Sequence, residues 1–134
     1  MMNRKMIVKV RKAAYWDLVS EFVRREHADP ISGINHCVTC HKPHHWKDLE
    51  AGHFIPKKKG NAIYFDLRNI HPQCTYCNKF ERGNLHKYYD YMLERYGQNE
   101  INDLKRLAET ILKISAIEYT LLEDEMKLKI GRLK

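Results

Sequence analysis

Two cysteine pairs, Cys37-x-x-Cys40 and Cys74-x-x-Cys77, constrain this 134-residue chain more than anything else in it. Disulfides need an oxidising compartment, and no export signal is evident: the positive start Met1-Met2-Asn3-Arg4-Lys5 is followed by an apolar stretch that Lys9 soon breaks. Two Cys-x-x-Cys knuckles instead present four thiolates, the donor set of a closed tetrahedral zinc site. Redox chemistry of either pair is the competing reading. The knuckles stand farther apart than in a short zinc ribbon, so a substantial insert lies between them. Zinc on Cys37, Cys40, Cys74 and Cys77 would turn metal-binding free energy into folding free energy for that insert.

The rest of the composition narrows the partner. There are 24 Lys and Arg against 17 Asp and Glu, a formal charge of +7. Hydrophobic residues make up 43% of the chain, enough for a core and against disorder, while a mean hydropathy of −0.64 implies a very polar surface. No apolar run approaches the roughly 20 residues of a membrane span. The length suits one compact domain and excludes large multidomain enzymes. A basic chain of this kind reads as a cytoplasmic binder of an anionic partner, nucleic acid first.

Periodicity divides the chain into an N-terminal helix and lead-in over 1–36, a knuckle-bearing centre over 37–84 and a helical tail over 85–134. Tyr15, Leu18, Val19, Phe22 and Val23 predict a helix over about 12–27, ended by Asp29-Pro30. The centre reads as short strands and loops, with strands at 48–55 and 62–67 joined by the basic turn 56–61 and His44 and His45 in a loop. Leu85, Tyr88, Tyr89, Met92, Leu93 and Tyr96 form a helical stripe ending at Gly97, better explained as core than as base-stacking platform. Asn99 is a candidate cap for a helix whose face carries Ile101, Leu104, Leu107, Ala108, Ile111 and Leu112. Ser115 and Glu118 have capping-box spacing for a last helix to about Ile130. The expected fold is α+β.

Between and around the knuckles stand Gly52-His53-Phe54, Asn69-Ile70-His71-Pro72-Gln73 and Cys77-Asn78-Lys79. His53, Asn69 and Asn78, with the second knuckle between the last two, resemble the HNH nuclease motif in its zinc-containing H-N-N form. The wider segments His44-His45-Trp46-Lys47, Glu50-Ala51-Gly52-His53-Phe54-Ile55, Phe65-Asp66-Leu67-Arg68-Asn69 and Gly83-Asn84 are similar to the phage NinG (Rap) recombination proteins. That resemblance covers the central third of the chain. It implies a small zinc-stabilised ββα-metal core flanked by helices, and an endonuclease for branched, Holliday-junction-like DNA in a phage or prophage setting.

The resemblance also implies roles. His53 would be the base for the attacking water, Asn69 would fix the imidazole, and Asn78 would offer an oxygen to Mg²⁺ or Mn²⁺, with His53 and Asn78 as the candidate ligand pair. Many HNH motifs carry a ligating Asp or His where Gly52 stands. Glu50, Asp66, Glu81 and His71 are candidates to complete the site. Lys57, Lys58, Lys59, Arg68, Lys79 and Arg82 are candidate DNA contacts, with Arg82 expected on the helix face of Asn78. The apolar faces of 101–128 could form a homodimer, which would suit a two-stranded junction, or fold back on their own chain. A non-catalytic zinc protein binding DNA or RNA, and a general HNH nickase, are the alternatives.

Overall fold

The computed structural model describes residues 2–56 and 60–133. Helix α1 spans Arg4–Arg25, with Asn3 Oδ1 accepting from the Met6 N–H at 2.9 Å as its cap. It begins two turns before the expected start, because its first turns are solvated and carry no apolar periodicity. Tyr15, Val19, Phe22 and Val23 are its buried face. Asp29 Oδ1 then accepts from the N–H groups of Ile31 and Ser32 and turns the chain back.

Strands β1 (Ile34–His36) and β2 (Pro43–His45) pair antiparallel, Asn35 opposite His44, so the first cysteine pair occupies the tip of a hairpin. His44 and His45 therefore lie in a strand rather than a loop. A 3₁₀ turn at Trp46–Asp48 leads into β3 (Glu50–His53), shorter than the expected 48–55 strand. Its antiparallel partner β4 is Ile70–Gln73, in register Glu50↔Gln73, Ala51↔Pro72, Gly52↔His71 and His53↔Ile70.

The expected strand over 62–67 does not form. Its alternating apolar residues serve two different cores, Ile63 one and Phe65 the other. Its backbone is held by turns, with Tyr64 N–H donating to Asn61 O and Asp66 N–H to Ile63 O. The N–H groups of Asn61 and Ala62 donate to Thr110 O in the tail. The strand's place is taken by β4, whose Pro72 is tolerated because a two-stranded ribbon has open edges.

After Cys74 comes a single π-helical turn, Tyr76–Phe80, carrying Cys77 and Asn78. Arg82, Gly83 and Asn84 follow with φ of 51°, 88° and 48°, so Arg82 sits in a left-handed turn beyond the helix face of Asn78. Helix α2 is Leu85–Arg95, α3 is Gln98–Leu107, and α4 is Ala116–Gly131. Gly97, φ 89°, takes the left-handed position between α2 and α3, which only glycine adopts cheaply. Asn99 is inside α3 rather than capping it. Because α3 stops at Leu107, Ile111 and Leu112 leave the stripe and stand 68% and 47% exposed. The capping box of Ser115 and Glu118 forms as its spacing predicts.

Two cores hold these elements. Helix α4 packs Tyr119 and Met126 against Tyr15, Val19, Phe22 and Val23 of α1 and against Ile70. Phe54 and Ile63 pack with Tyr88, Met92, Ile101, Leu104 and Ala108 of α2, α3 and the turn after it. The tail thus folds back on its own chain through these residues, while Ile117, Leu121 and Leu128 of the same segment stand exposed.

Candidate metal centre and active site

The sulfur atoms of Cys37, Cys40, Cys74 and Cys77 all lie within 4.8 Å of one another and could hold one metal ion. All four cysteines are free of disulfides. Cys40 Sγ and Cys74 Sγ are 3.7 Å apart, the edge expected of a tetrahedron with Zn–S bonds of about 2.3 Å. Burial pushes the Cys37 thiol up, but hydrogen bonds from Thr39 and from the Cys74 and Cys40 backbone outweigh it and bring it to about 6. Burial pushes Cys40 up to about 12 and raises Cys74 as well. Four thiols this crowded cannot all ionise without a cation among them, and soft thiolates suit zinc.

The β3–β4 ribbon carries the second set of groups. Side chains alternate along a strand, so Glu50, Gly52, His71 and Gln73 face one side, while Ala51, His53, Ile70 and Pro72 face the other. His53 is on the α1 side. Its ring stacks on Trp16 with centroids 5.0 Å apart and planes 17° apart, and lies 4.9 Å from the Tyr64 ring. Its Nε2 is 2.9 Å from Tyr64 O. A carbonyl only accepts, so Nε2 carries the proton and the Nδ1 lone pair is left over. Burial lowers the His53 pKa from its ordinary value despite the hydrogen bond to Tyr64.

Asn69 is fully buried. Its Oδ1 accepts from Ile55 N–H and its Nδ2 donates to Ile55 O, both at 2.9 Å, while Asn69 O accepts from Phe54 N–H. It grips the backbone directly after His53 and does not touch the imidazole.

Asn78 lies on the opposite side of the ribbon from His53, so the two do not form a ligand pair there. Its Nδ2 donates to Glu50 Oε1 at 2.8 Å, and Glu50 Oε2 receives Thr75 Oγ1 at 2.9 Å and Lys79 Nζ at 3.3 Å. Burial works to raise the Glu50 carboxyl, but these partners outweigh it and hold it below the usual carboxylate range. Of the other candidates to complete the site, Asp66 is engaged by Arg68, with Oδ2 2.7 Å from Nη2, and Glu81 is exposed beyond the π-helical turn.

His71 is committed to a buried chain that sequence reading missed. Tyr88 Oη donates to Gly52 O at 2.7 Å, so His71 Nδ1, 3.0 Å away, must donate to Tyr88. His71 Nε2 then accepts from Tyr96 Oη at 2.8 Å. The chain clamps the Gly52–His53 peptide. Burial, with the charges of Arg95 and His27, lowers the His71 pKa to about 3. Trp16, Tyr64 and Gln73 were likewise unforeseen. A glycine directly before the candidate histidine was the available signal for Gln73, since something must fill the space its side chain leaves.

The candidate DNA contacts divide. Lys57, Lys58 and Lys59 lie outside the described residues. Arg82 is exposed and Lys79 mostly so, though paired to Glu50. Arg68 is caged by Asp66, Glu100 and Asp103, with Nη1 2.9 Å from Asp103 Oδ2, and its charge joins the turn before β4 to α3. No helix among the described residues is long and apolar enough to cross a membrane.

Comparison with known proteins places the chain in a family. Protein ninG of Escherichia phage lambda is 30% identical over 137 residues, covering 94% of this chain and 61% of the relative. The ninG proteins of Escherichia phage 933W and Salmonella phage P22 are each 30% identical over 109 residues, covering 76% of this chain and 49% of the relative. The chain therefore spans about half to three fifths of the length of these relatives. No solved structure matches it. The family described as "NinG: Bacteriophage Lambda NinG protein" matches residues 2–134, a stretch that takes in both cysteine pairs, the ribbon and every helix, and the chain belongs to that family.

Proposed function

We propose that this protein is a metal-dependent endonuclease of the HNH type that hydrolyses phosphodiester bonds in branched DNA, in the cytoplasm of a phage-infected or lysogenic cell. The observation that carries the reading is His53: Nε2–H is tied to Tyr64 O, leaving Nδ1 as a lone pair on an imidazole that burial keeps neutral. A neutral, oriented imidazole is what proton abstraction from water requires. Asn69 supports this role by fixing the backbone that follows His53, and Tyr88 by fixing the peptide that precedes it. Zinc on the four cysteines is structural and holds the ends of the β1–β2 hairpin and the π-helical turn together. A Mg²⁺ or Mn²⁺ ion held at Asn78, on the side of the ribbon away from His53, would supply positive charge to the DNA backbone there. Lys57, Lys58, Lys59, Lys79 and Arg82 contact the DNA backbone. The branched substrate rests on the resemblance of the central segment to recombination proteins, and a second copy of the chain would match a junction's two-fold symmetry.

One observation favours a different reading. The packing of His53 against both Trp16 and Tyr64, which also touch each other, equally suits a packing role, as in a non-catalytic nucleic-acid-binding zinc protein. Cleavage of a labelled four-way junction beside a linear duplex of matching sequence, in Mg²⁺ and in Mn²⁺, decides between them. Junction cutting that His53→Ala abolishes is the expected result. Equal cutting of both substrates would reduce the activity to general nicking. Tight binding with no cutting of either would replace the endonuclease by the binding protein.

A further inference from the structure

The place of the missing side chain at Gly52 is filled by another residue's oxygen. A Cβ there would run into Gln73 Oε1 and would lie 3.1 Å from Asn78 Oδ1. Two side-chain oxygens therefore converge on one spot beside the residue that precedes His53. Gln73 is 0% exposed, and its Nε2 donates to Gly83 O at 2.8 Å and to Thr39 Oγ1 at 3.2 Å. Because the Gly83 carbonyl only accepts, the amide cannot be turned around, and Oε1 must face Gly52. That oxygen is buried and has no hydrogen-bond partner. An orphan of this kind destabilises the fold unless something meets it.

Asn78 is oriented in the same way. Its Nδ2 is spent on Glu50 Oε1 at 2.8 Å, which leaves Oδ1 directed at Gly52. Glu50 adds a full negative charge, whose other oxygen carries Thr75 and Lys79. The Lys79 side chain is 67% exposed and can swing into solvent when another cation takes its place on Glu50.

We infer that Gln73 Oε1 and Asn78 Oδ1, together with the Glu50 carboxylate, form a site for one hard divalent cation of the Mg²⁺ or Mn²⁺ class. Two neutral carbonyl oxygens and one carboxylate, completed by water, are the donors such ions choose, whereas the four thiolates select zinc. The site answers the departure at Gly52, because Gln73 delivers across the ribbon the oxygen that residue 52 cannot. Its use in cleavage rests on the endonuclease reading, but its existence does not.

The test is Mn²⁺ binding to the zinc-loaded protein, followed by the electron paramagnetic resonance signal of free Mn²⁺, for wild type, Glu50→Gln, Asn78→Ala and Gln73→Met. One Mn²⁺ per chain, with affinity weakened at least about tenfold in each variant and zinc content unchanged, is the expected result. No Mn²⁺ binding by the wild type overturns the site, as does unchanged affinity in Glu50→Gln and Asn78→Ala, which carry the test alone should Gln73→Met not fold. Affinity lost in those two but kept in a folded Gln73→Met overturns the role of Gln73. Mn²⁺ binding by a wild-type protein that cuts no DNA would remove the endonuclease and leave the site, while cleavage with unaltered Mn²⁺ affinity in the variants would do the reverse.

Discussion

Asn69 and Ile55 are paired like two strands: the Asn69 side chain accepts from the Ile55 N–H and donates to the Ile55 carbonyl, each at 2.9 Å. The pairing extends the ribbon past His53 by means of a side chain, just before β4 begins at Ile70. Asn69→Ala leaves a buried N–H and a buried C=O without partners and should destabilise the fold by about 2–4 kcal/mol. Asn69→Asp should cost more, because a carboxylate oxygen would then face the carbonyls of Ile55 and Ile63, which now receive Nδ2 at 2.9 and 3.4 Å. Urea melts of the zinc-loaded variants check both, and a loss under about 0.5 kcal/mol for Asn69→Ala would contradict the pairing.

The pH profile of cleavage follows from the surroundings of His53. Burial depresses its pKa, so the neutral base predominates above a midpoint that lies below 6.5. Cleavage limited by this base should rise with pH through that midpoint and then stay flat across neutrality. Histidine ring signals followed by NMR should give the same midpoint for His53. A rate that is still rising steeply above pH 7 would assign the base to another group.

His71 predicts acid sensitivity of the fold. Its pKa falls from 6.5 to about 3, through burial first and then the charges of Arg95 and His27. The unfolded chain takes up a proton as pH falls through 6.5, while the native imidazole stays neutral down to about 3. The stability His71 contributes is therefore complete above 6.5 and lost progressively below it. Between pH 7.5 and 5.5 the loss should be about 1 kcal/mol, and His71→Gln should lack that share of the slope. Parallel slopes for the two proteins would show that His71 is protonated in the fold.

How far the sequence discloses this molecule depends on the range of each signal. The cysteine spacing, the stripe through Tyr88 and Met92, Gly97 and the capping box of Ser115 are local and appear where their patterns place them. The strand over 62–67 misleads because alternation arises whenever neighbours serve two cores, and only tertiary contact separates Ile63 from Phe65. Asn99 misleads because Gly97 opens α3 two residues earlier. His53, Asn69 and Asn78 are legible as residues but not as an arrangement. The register of β3 on β4 puts His53 and Asn78 on opposite sides and brings Gln73 to Gly52, and a register is not written in either strand alone.

Metal removal should act on the centre more than on the helices. The four cysteines bring the β1–β2 hairpin against the π-helical turn, and among the described residues Leu49 is the one other buried apolar side chain in their small cluster. Chelation of zinc should unravel residues 37–84 while the packing of α1 on α4, which uses Tyr15, Val19, Tyr119 and Met126, persists in part. Hydrogen exchange of the chelated protein checks this. Protection retained at Cys37–Cys40 after complete zinc loss would show that the knuckles fold without metal.

The basic residues should separate by what they already hold. Arg68 is caged by Asp66, Glu100 and Asp103, so Arg68→Ala leaves three carboxylates facing one another and should cost about 1–3 kcal/mol of stability. It should change DNA affinity little, since the guanidinium is spent inside the protein. Arg82→Ala should do the opposite. This exposed, left-handed turn residue has no core contact to lose, and its removal should weaken DNA binding and lower the slope of log affinity against log salt by about one. Lys79→Ala should fall between, because the ammonium leaves Glu50 when it reaches for a phosphate. Binding isotherms at several salt concentrations, paired with urea melts, place each variant. If Arg68→Ala lowers the salt slope as much as Arg82→Ala does, Arg68 leaves its cage on DNA and belongs to the interface.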